Sequence, residues 1–168
     1  MATTKERTTH SERPYVTSYE PAAQHGIVMK IGNAFMRLVL RTRLGEKMQG
    51  LSILSFTGRK TGTRYHVPVS VIDLDGSPIV LSAARWRVNL RGGADVEVRA
   101  GRTIRRMRAT LVEDPELVAD VYERQLRSVG VAHSKRLGLV LAGDRFPTRE
   151  ELIEGIAGRR VVIKLADR

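Results

Sequence analysis

Leu51-Ser52-Ile53-Leu54-Ser55-Phe56-Thr57-Gly58-Arg59-Lys60-Thr61-Gly62-Thr63-Arg64-Tyr65-His66-Val67-Pro68-Val69-Ser70-Val71-Ile72 reads as two strands joined by a basic turn. The apolar run Leu51 to Phe56 has the length and flanks of a buried strand. Tyr65 to Ile72 alternates with period 2, as a second strand should. Between them, Gly58 and Gly62 bracket Arg59, Lys60 and Thr61. Glycine permits positive φ, so backbone N–H groups can converge on one concavity. With two cations and three threonine hydroxyls beside it, such a turn suits a phosphate or carboxylate. It is not a Walker A loop, because the GxxxxGK[ST] order is absent and no helix follows. On pattern alone, a solvated hairpin loop is the commoner outcome for a turn of this kind.

Downstream, Asp73 to Ser77 is a turn and Pro78 to Ala83 returns as a strand. Trp86 to Arg91 reads as one or two helical turns, ended by Gly92-Gly93. Asp95 to Arg99 alternates as a strand, and Gly101 turns the chain into Thr103 to Val112. In that last strand Ile104, Met107 and Leu111 are expected inward and Arg102, Arg105, Arg106 and Arg108 mostly outward. Asp114-Pro115-Glu116 announces a helix, with Asp as N-cap and Pro at the first position, running to Gly130. Tyr122 sits at apolar spacing on it and is expected in the core. A shorter apolar segment spans 132–142. Thr148 to Glu151 is a capping box for a short helix closed at Gly158, and 160–165 ends the chain as a strand.

Upstream, residues 1–22 are polar and without periodicity, and are expected to be a disordered tail before a single domain, 23–168. Gly26 opens an amphipathic helix, residues 27–43. Ile27, Ile31, Phe35 and Leu38 lie on one face and Lys30, Asn33, Arg37 and Arg41 on the other. It either packs on a barrel or lies on anionic lipid, and packing is the favoured reading. The fold class expected is α+β: about six mainly antiparallel strands in a small β-barrel with peripheral helices.

Composition narrows the chemistry. The 168 residues carry 29 Lys and Arg against 18 Asp and Glu, a net charge of +11. A polyanionic partner normally balances such a field: nucleic acid, an anionic membrane face or a multiply charged cofactor. Nucleic acid is disfavoured, because no aromatics interleave the arginines of 102–108. The absence of cysteine excludes disulfides, thiolate metal sites and cysteine nucleophiles. The four histidines show no HExxH or HxH spacing, so no metal site is expected. No G-x-S-x-G elbow marks a serine nucleophile. No segment reads as a secretory apolar core or a membrane span. A cytoplasmic location is expected, with contact at the inner membrane face as the second reading.

Thr57-Gly58-Arg59-Lys60-Thr61-Gly62, followed by Tyr65 and Pro68-Val69, resembles the signature of the deazaflavin-dependent nitroreductase family. Trp86-Arg87-Val88-Asn89-Leu90-Arg91 is similar to that family's W-x-x-N-L-R segment, and 161–165 resembles its closing strand. Order and spacing agree over about residues 30 to 112. The resemblance implies a split β-barrel, often actinobacterial, that uses coenzyme F-420. It would pass a hydride from the reduced cofactor to a small, largely apolar quinone, enone or nitro acceptor. An oxidoreductase whose cofactor carries the redox chemistry needs no catalytic triad.

By the same resemblance, Arg59, Lys60, Thr61 and Gly62 would hold the cofactor phosphate, and Arg59 would also steer the acidic tail. Tyr65, Pro68, Val69 and Ser70 would lie along the ring. Trp86 would flank it, with Ala83 nearby and Asn89 and Arg91 in the pocket wall. Tyr65 is the candidate proton donor, although cross-strand packing explains it equally well. A core indole at 86 and a turn role for Asn89 are the plain alternatives. Two departures stand out: the link Ala83-Ala84-Arg85 is short, and Ser70 stands where some relatives carry Asn. Flavin mononucleotide or haem therefore remain alternative cofactors, and a non-catalytic binding protein the alternative function. A homodimer is the assembly the family would suggest.

Overall fold

The apolar run at Leu51 does become a strand, and its neighbours close around it. The computed structural model of the chain describes residues 14–18 and 51–168. Strands are β1 (Val16–Ser18), β2 (Leu51–Thr57), β3 (Arg64–Leu74), β4 (Ser77–Ser82), β5 (Ala94–Ala100), β6 (Thr103–Val112), β7 (Leu139–Leu141) and β8 (Val161–Asp167). Helices are α1 (Pro115–Val129) and α2 (Arg149–Ile156), with 3-10 helices at Arg85–Leu90 and Val131–Leu137. Six strands form a closed barrel in the order β2-β3-β4-β8-β6-β5, every pair antiparallel. β1 pairs with β7 in a separate two-stranded sheet. The protein is an α+β split barrel.

Alternation explains which side chains fill it. Leu54, Phe56, Val69, Val96, Val98, Met107, Ala109, Ile163 and Leu165 belong to one buried cluster. A second cluster forms where α1 and α2 cover the barrel: Val118, Tyr122, Leu126, Leu152 and Ile156 pack with Ile79 and Val162. The expected caps are present. Asp114 accepts from the N–H groups of Glu116 and Leu117, and Thr148 and Glu151 form a reciprocal capping box. Tyr122 is fully buried, as its spacing indicates.

Two expectations need correction. Ile104 is 47% exposed rather than inward. A strand alternates strictly, so residue 104 cannot share the face of Met107 and Ala109, which are buried. Within the span 1–22 expected to be disordered, Val16–Ser18 form a strand against Leu139–Leu141, and Val16 is 1% exposed. Three residues are too short to show a period, so only the tertiary partner reveals them. Residues 1–13 and 19–22 of that span and the amphipathic segment 27–43 lie outside the described residues. Among the described residues no helix is long and apolar enough to cross a membrane, and no acid or histidine cluster could hold a metal.

Candidate functional site

The turn between β2 and β3 is closed from within. Gly58 N–H donates to Thr63 O at 2.8 Å, Gly62 N–H to Gly58 O at 2.9 Å, and Thr63 N–H to Thr61 Oγ1 at 3.3 Å. Gly62 has φ +66°, a left-handed value that favours glycine. At Gly58 a Cβ would lie 2.7 Å from the Tyr65 ring, so the ring settles where a side chain would stand. These bonds use the Gly62 N–H internally, which makes its contribution conformational. Among the described residues, the Lys60 ammonium and the N–H groups of Lys60 and Thr61 take no partner. They are the donors this turn offers outward.

The second motif comes to meet the first. Asn89 Oδ1 accepts from Arg59 N–H at 3.1 Å, and Asn89 Nδ2 donates to Trp86 O at 2.9 Å. The Arg59 guanidinium donates to Arg91 O at 2.9 Å. Arg91 itself is engaged by Glu113 in a bidentate pair at 2.8 and 2.9 Å. That hydrogen bond holds the Glu113 carboxyl below its usual range and raises the Arg91 guanidinium above its own. Asn89 and Arg91 thus act as a latch that fixes the basic turn. Asn89 makes a short-range bond within its own turn and a long-range one to Arg59.

Aromatic rings join this latch to a cleft. Phe56, 1% exposed, stacks on Tyr65 at 5.5 Å and on Trp86 at 5.4 Å between centroids. Trp86, half-buried, then lines a cleft of about 350 Å³ together with Pro68, Val69, Ser70, Leu81, Ser82 and Ala84. Volumes of this order suit small-molecule sites. The β3–β4 ladder covers only Val71–Leu74 against Ser77–Val80, whereas residues 64–70 of β3 pair with β2. One edge of β3 therefore stays outside the β4 ladder where Pro68, Val69 and Ser70 meet the cleft. Strand backbone presented this way can exchange hydrogen bonds with a planar heterocycle.

The sequence-nominated residues thus divide. Pro68, Val69, Ser70 and Trp86 line the cleft. Arg59, Lys60, Thr61, Gly62, Asn89 and Arg91 form the latched turn, outside the cleft lining. Tyr65 is 39% exposed on the aromatic stack, and its hydroxyl takes no partner among the described residues. Ala83 is pinned: its carbonyl accepts from Arg87 Nη1 at 2.5 Å, and Arg87 Nη2 reaches Gly158 O at 3.0 Å. His66, beside Tyr65, meets Ser55 Oγ across the ladder at 2.8 Å.

Lys135, Arg136 and Arg160 also line the cleft, and sequence reasoning did not find them. The cleft-lining Arg160 is 8% exposed and donates to Gly138 O at 2.6 Å beside the buried Tyr122, whose hydroxyl is pushed up by burial. The available signal was weak: a Lys-Arg pair just before Gly138 and an Arg-Arg pair opening the last strand.

No family model matches the chain, and neither does any curated protein. Among solved structures it is similar to an F-420-H2 dependent reductase (FDR-A), with 16% identity, 68% of this chain and 93% of that chain covered, and a TM-score of 0.41. It is also similar to a conserved hypothetical protein from Mycobacterium tuberculosis, with 14% identity, coverage of 90% and 86%, and a TM-score of 0.44. An FAD and haem binding protein from Mycobacterium smegmatis gives 14%, 81% and 67%, and 0.43. Values this low carry no argument about function, and the barrel rests on its own ladder registers.

Proposed function

We propose that the protein is a deazaflavin-dependent oxidoreductase that reduces a small quinone, enone or nitro acceptor. One observation carries the reading. The two segments that resemble the family, about thirty residues apart, are latched by Arg59–Asn89 and Arg59–Arg91 bonds, and Trp86 joins that latch to the cleft. The residues present fit an anionic, planar cofactor. The turn offers Lys60, two outward N–H groups and the remaining Arg59 donors to a phosphate. The open β3 edge at Pro68–Ser70 and the Trp86 face suit a flat ring.

Bound there, the deazaflavin supplies the hydride. The chain's own work is to bind, orient and shield. A guanidinium held at Arg91 O keeps its planar fork aimed, and lysine adds a point charge. Trp86, Val69 and Leu81 furnish apolar walls. Tyr65, with its hydroxyl on the exposed end of the stack, is the proposed proton source for the reduced acceptor.

Arg59→Glu with Lys60→Glu tests the phosphate assignment. Binding of F-420, measured by quenching of Trp86, the sole tryptophan, should fall beyond detection. Retained binding contradicts the assigned turn. The second reading is a barrel that holds the cofactor without turnover. The pinned Ala83–Arg85 link favours it, because three Arg87 contacts leave little freedom for a lid. Tight binding with no oxidation of reduced F-420 by any quinone or nitro compound would establish that reading instead.

A further inference from the structure

The cleft has a charge pattern that the proposed cofactor does not account for. Lys135, Arg136 and Arg160 line it, and among the described residues no Asp or Glu does. Elsewhere among the described residues arginine is heavily paired: Arg64, Arg91, Arg105, Arg108, Arg124, Arg145, Arg149 and Arg168 each meet a carboxylate. Lys135 and Arg136 are exposed and engage no acid among those residues. In sequence, residues 1–13 and 19–50 are also basic, with Lys5, Arg7, Arg13, Lys30, Arg37, Arg41, Arg43 and Lys47 against Glu6, Glu12, Glu20 and Glu46. Three cations converging on a partly apolar cleft create a field that favours an anion.

The fold holds the backbone that carries Lys135 and Arg136 and anchors the Arg160 side chain. Lys135 and Arg136 end the 3-10 helix Val131–Leu137, whose last carbonyls accept from Gly138 N–H. Gly138 O in turn accepts from Arg160 Nη2 at 2.6 Å, which ties the helix end to the start of β8. Val69, Leu81 and Trp86 supply apolar contact in the same cleft. The basic turn at Arg59–Lys60 is a separate cation group, outside this lining.

We propose that Lys135, Arg136 and Arg160 form a carboxylate-binding pole, and that the acceptor is a conjugated or aromatic acid. The acid group meets the cations and the flat body lies along Leu81 in the same cleft, beside the ring proposed for the Trp86 face. This deepens the proposed oxidoreductase reading and rests on it for the word acceptor. It replaces the largely apolar acceptor expected from the family resemblance with one that carries a negative charge.

The test needs no cofactor. Titrate the full chain by calorimetry with 4-nitrobenzoate and with 4-nitrobenzamide, which share shape and differ in charge. The acid should bind about tenfold more tightly than the amide, the effect of one charge-assisted hydrogen bond. Lys135→Gln with Arg136→Gln, both exposed, should erase that preference. Arg59→Gln with Lys60→Gln removes the same charge at the turn and should keep it. Equal binding of acid and amide, no binding of either, or a preference that survives Lys135→Gln with Arg136→Gln would overturn the pole. Titrating F-420 against the same two double variants separates the sources. Loss of F-420 affinity in the Lys135 and Arg136 variant assigns the pole to the cofactor's acidic tail and overturns the acceptor assignment. Unchanged F-420 affinity in the turn variant defeats the proposed cofactor site while leaving the pole standing.

Discussion

At the scale of the residue, Asn89 is the most informative side chain. Its amide spends one end on Arg59 N–H and the other on Trp86 O, so it joins two motifs far apart in sequence. Asn89→Ala leaves the Arg59 N–H and the Trp86 carbonyl without those partners. A loss of about 1 kcal/mol in stability is expected, with a larger loss in cofactor affinity as the turn loosens. Denaturant melts paired with F-420 titrations check both. A change in stability with unaltered affinity would separate the latch from the binding site. The sequence makes Asn89 visible through the W-x-x-N-L-R pattern, but not its partner. A bond to a backbone N–H thirty residues away leaves no trace in residue type. Lys135, Arg136 and Arg160 were hidden for the same reason, since they share a cleft only once β8 has docked beside β4.

At the scale of the element, the N-terminus of α2 and the strand β1 make separate predictions. Glu151 closes the capping box and receives two hydrogen bonds from Arg145, at 2.6 and 2.8 Å. These bonds, the Arg145 one first, hold its carboxyl down to about 2. A depressed carboxylate stabilises fully above its unfolded value, about 4.3. That contribution disappears as pH falls through the folded value. Glu113, held down by Arg91, acts in the same direction. Thermal melts should therefore lose stability between about pH 4.5 and pH 2, and Glu151→Gln should flatten part of that slope. An unchanged slope would mean that the pair contributes nothing to folding.

β1 depends on close approach. A Cβ at Gly155 of α2 would stand 2.5 Å from Val16 Cγ1 and 2.7 Å from Val16 O. Gly155→Ala should cost about 1–3 kcal/mol and raise hydrogen exchange at Val16–Ser18 specifically. Retained protection there would show that β1 is held by β7 alone. The barrel strands and helix caps were legible because alternation and capping are local codes. β1 was not, because its three residues borrow their order from β7 and α2.

At the scale of the whole molecule, the net charge of +11 divides into work already assigned and work still open. Many arginines are spent on exposed ion pairs, whose individual contributions are small. Lys60 at the turn and Lys135 and Arg136 in the cleft engage no acid among the described residues and are placed to attract a ligand. If they do, F-420 affinity should fall several-fold between roughly 50 and 300 mM salt, as the Debye length shortens. An affinity indifferent to salt would place the binding energy in the apolar walls. A homodimer and peripheral contact with anionic lipid through residues 27–43 are proposals of the same scale. Sedimentation and vesicle flotation would decide each.

The central claim is that a latched basic turn and the Trp86 cleft form one deazaflavin site. Its most direct test is a titration of the purified chain with F-420, flavin mononucleotide and haem, read by Trp86 fluorescence and by absorbance. The expected result is F-420 binding at micromolar affinity or tighter, about −8 kcal/mol, abolished by Arg59→Glu with Lys60→Glu. Binding of flavin or haem in preference to F-420, or of none of the three, would contradict the claim.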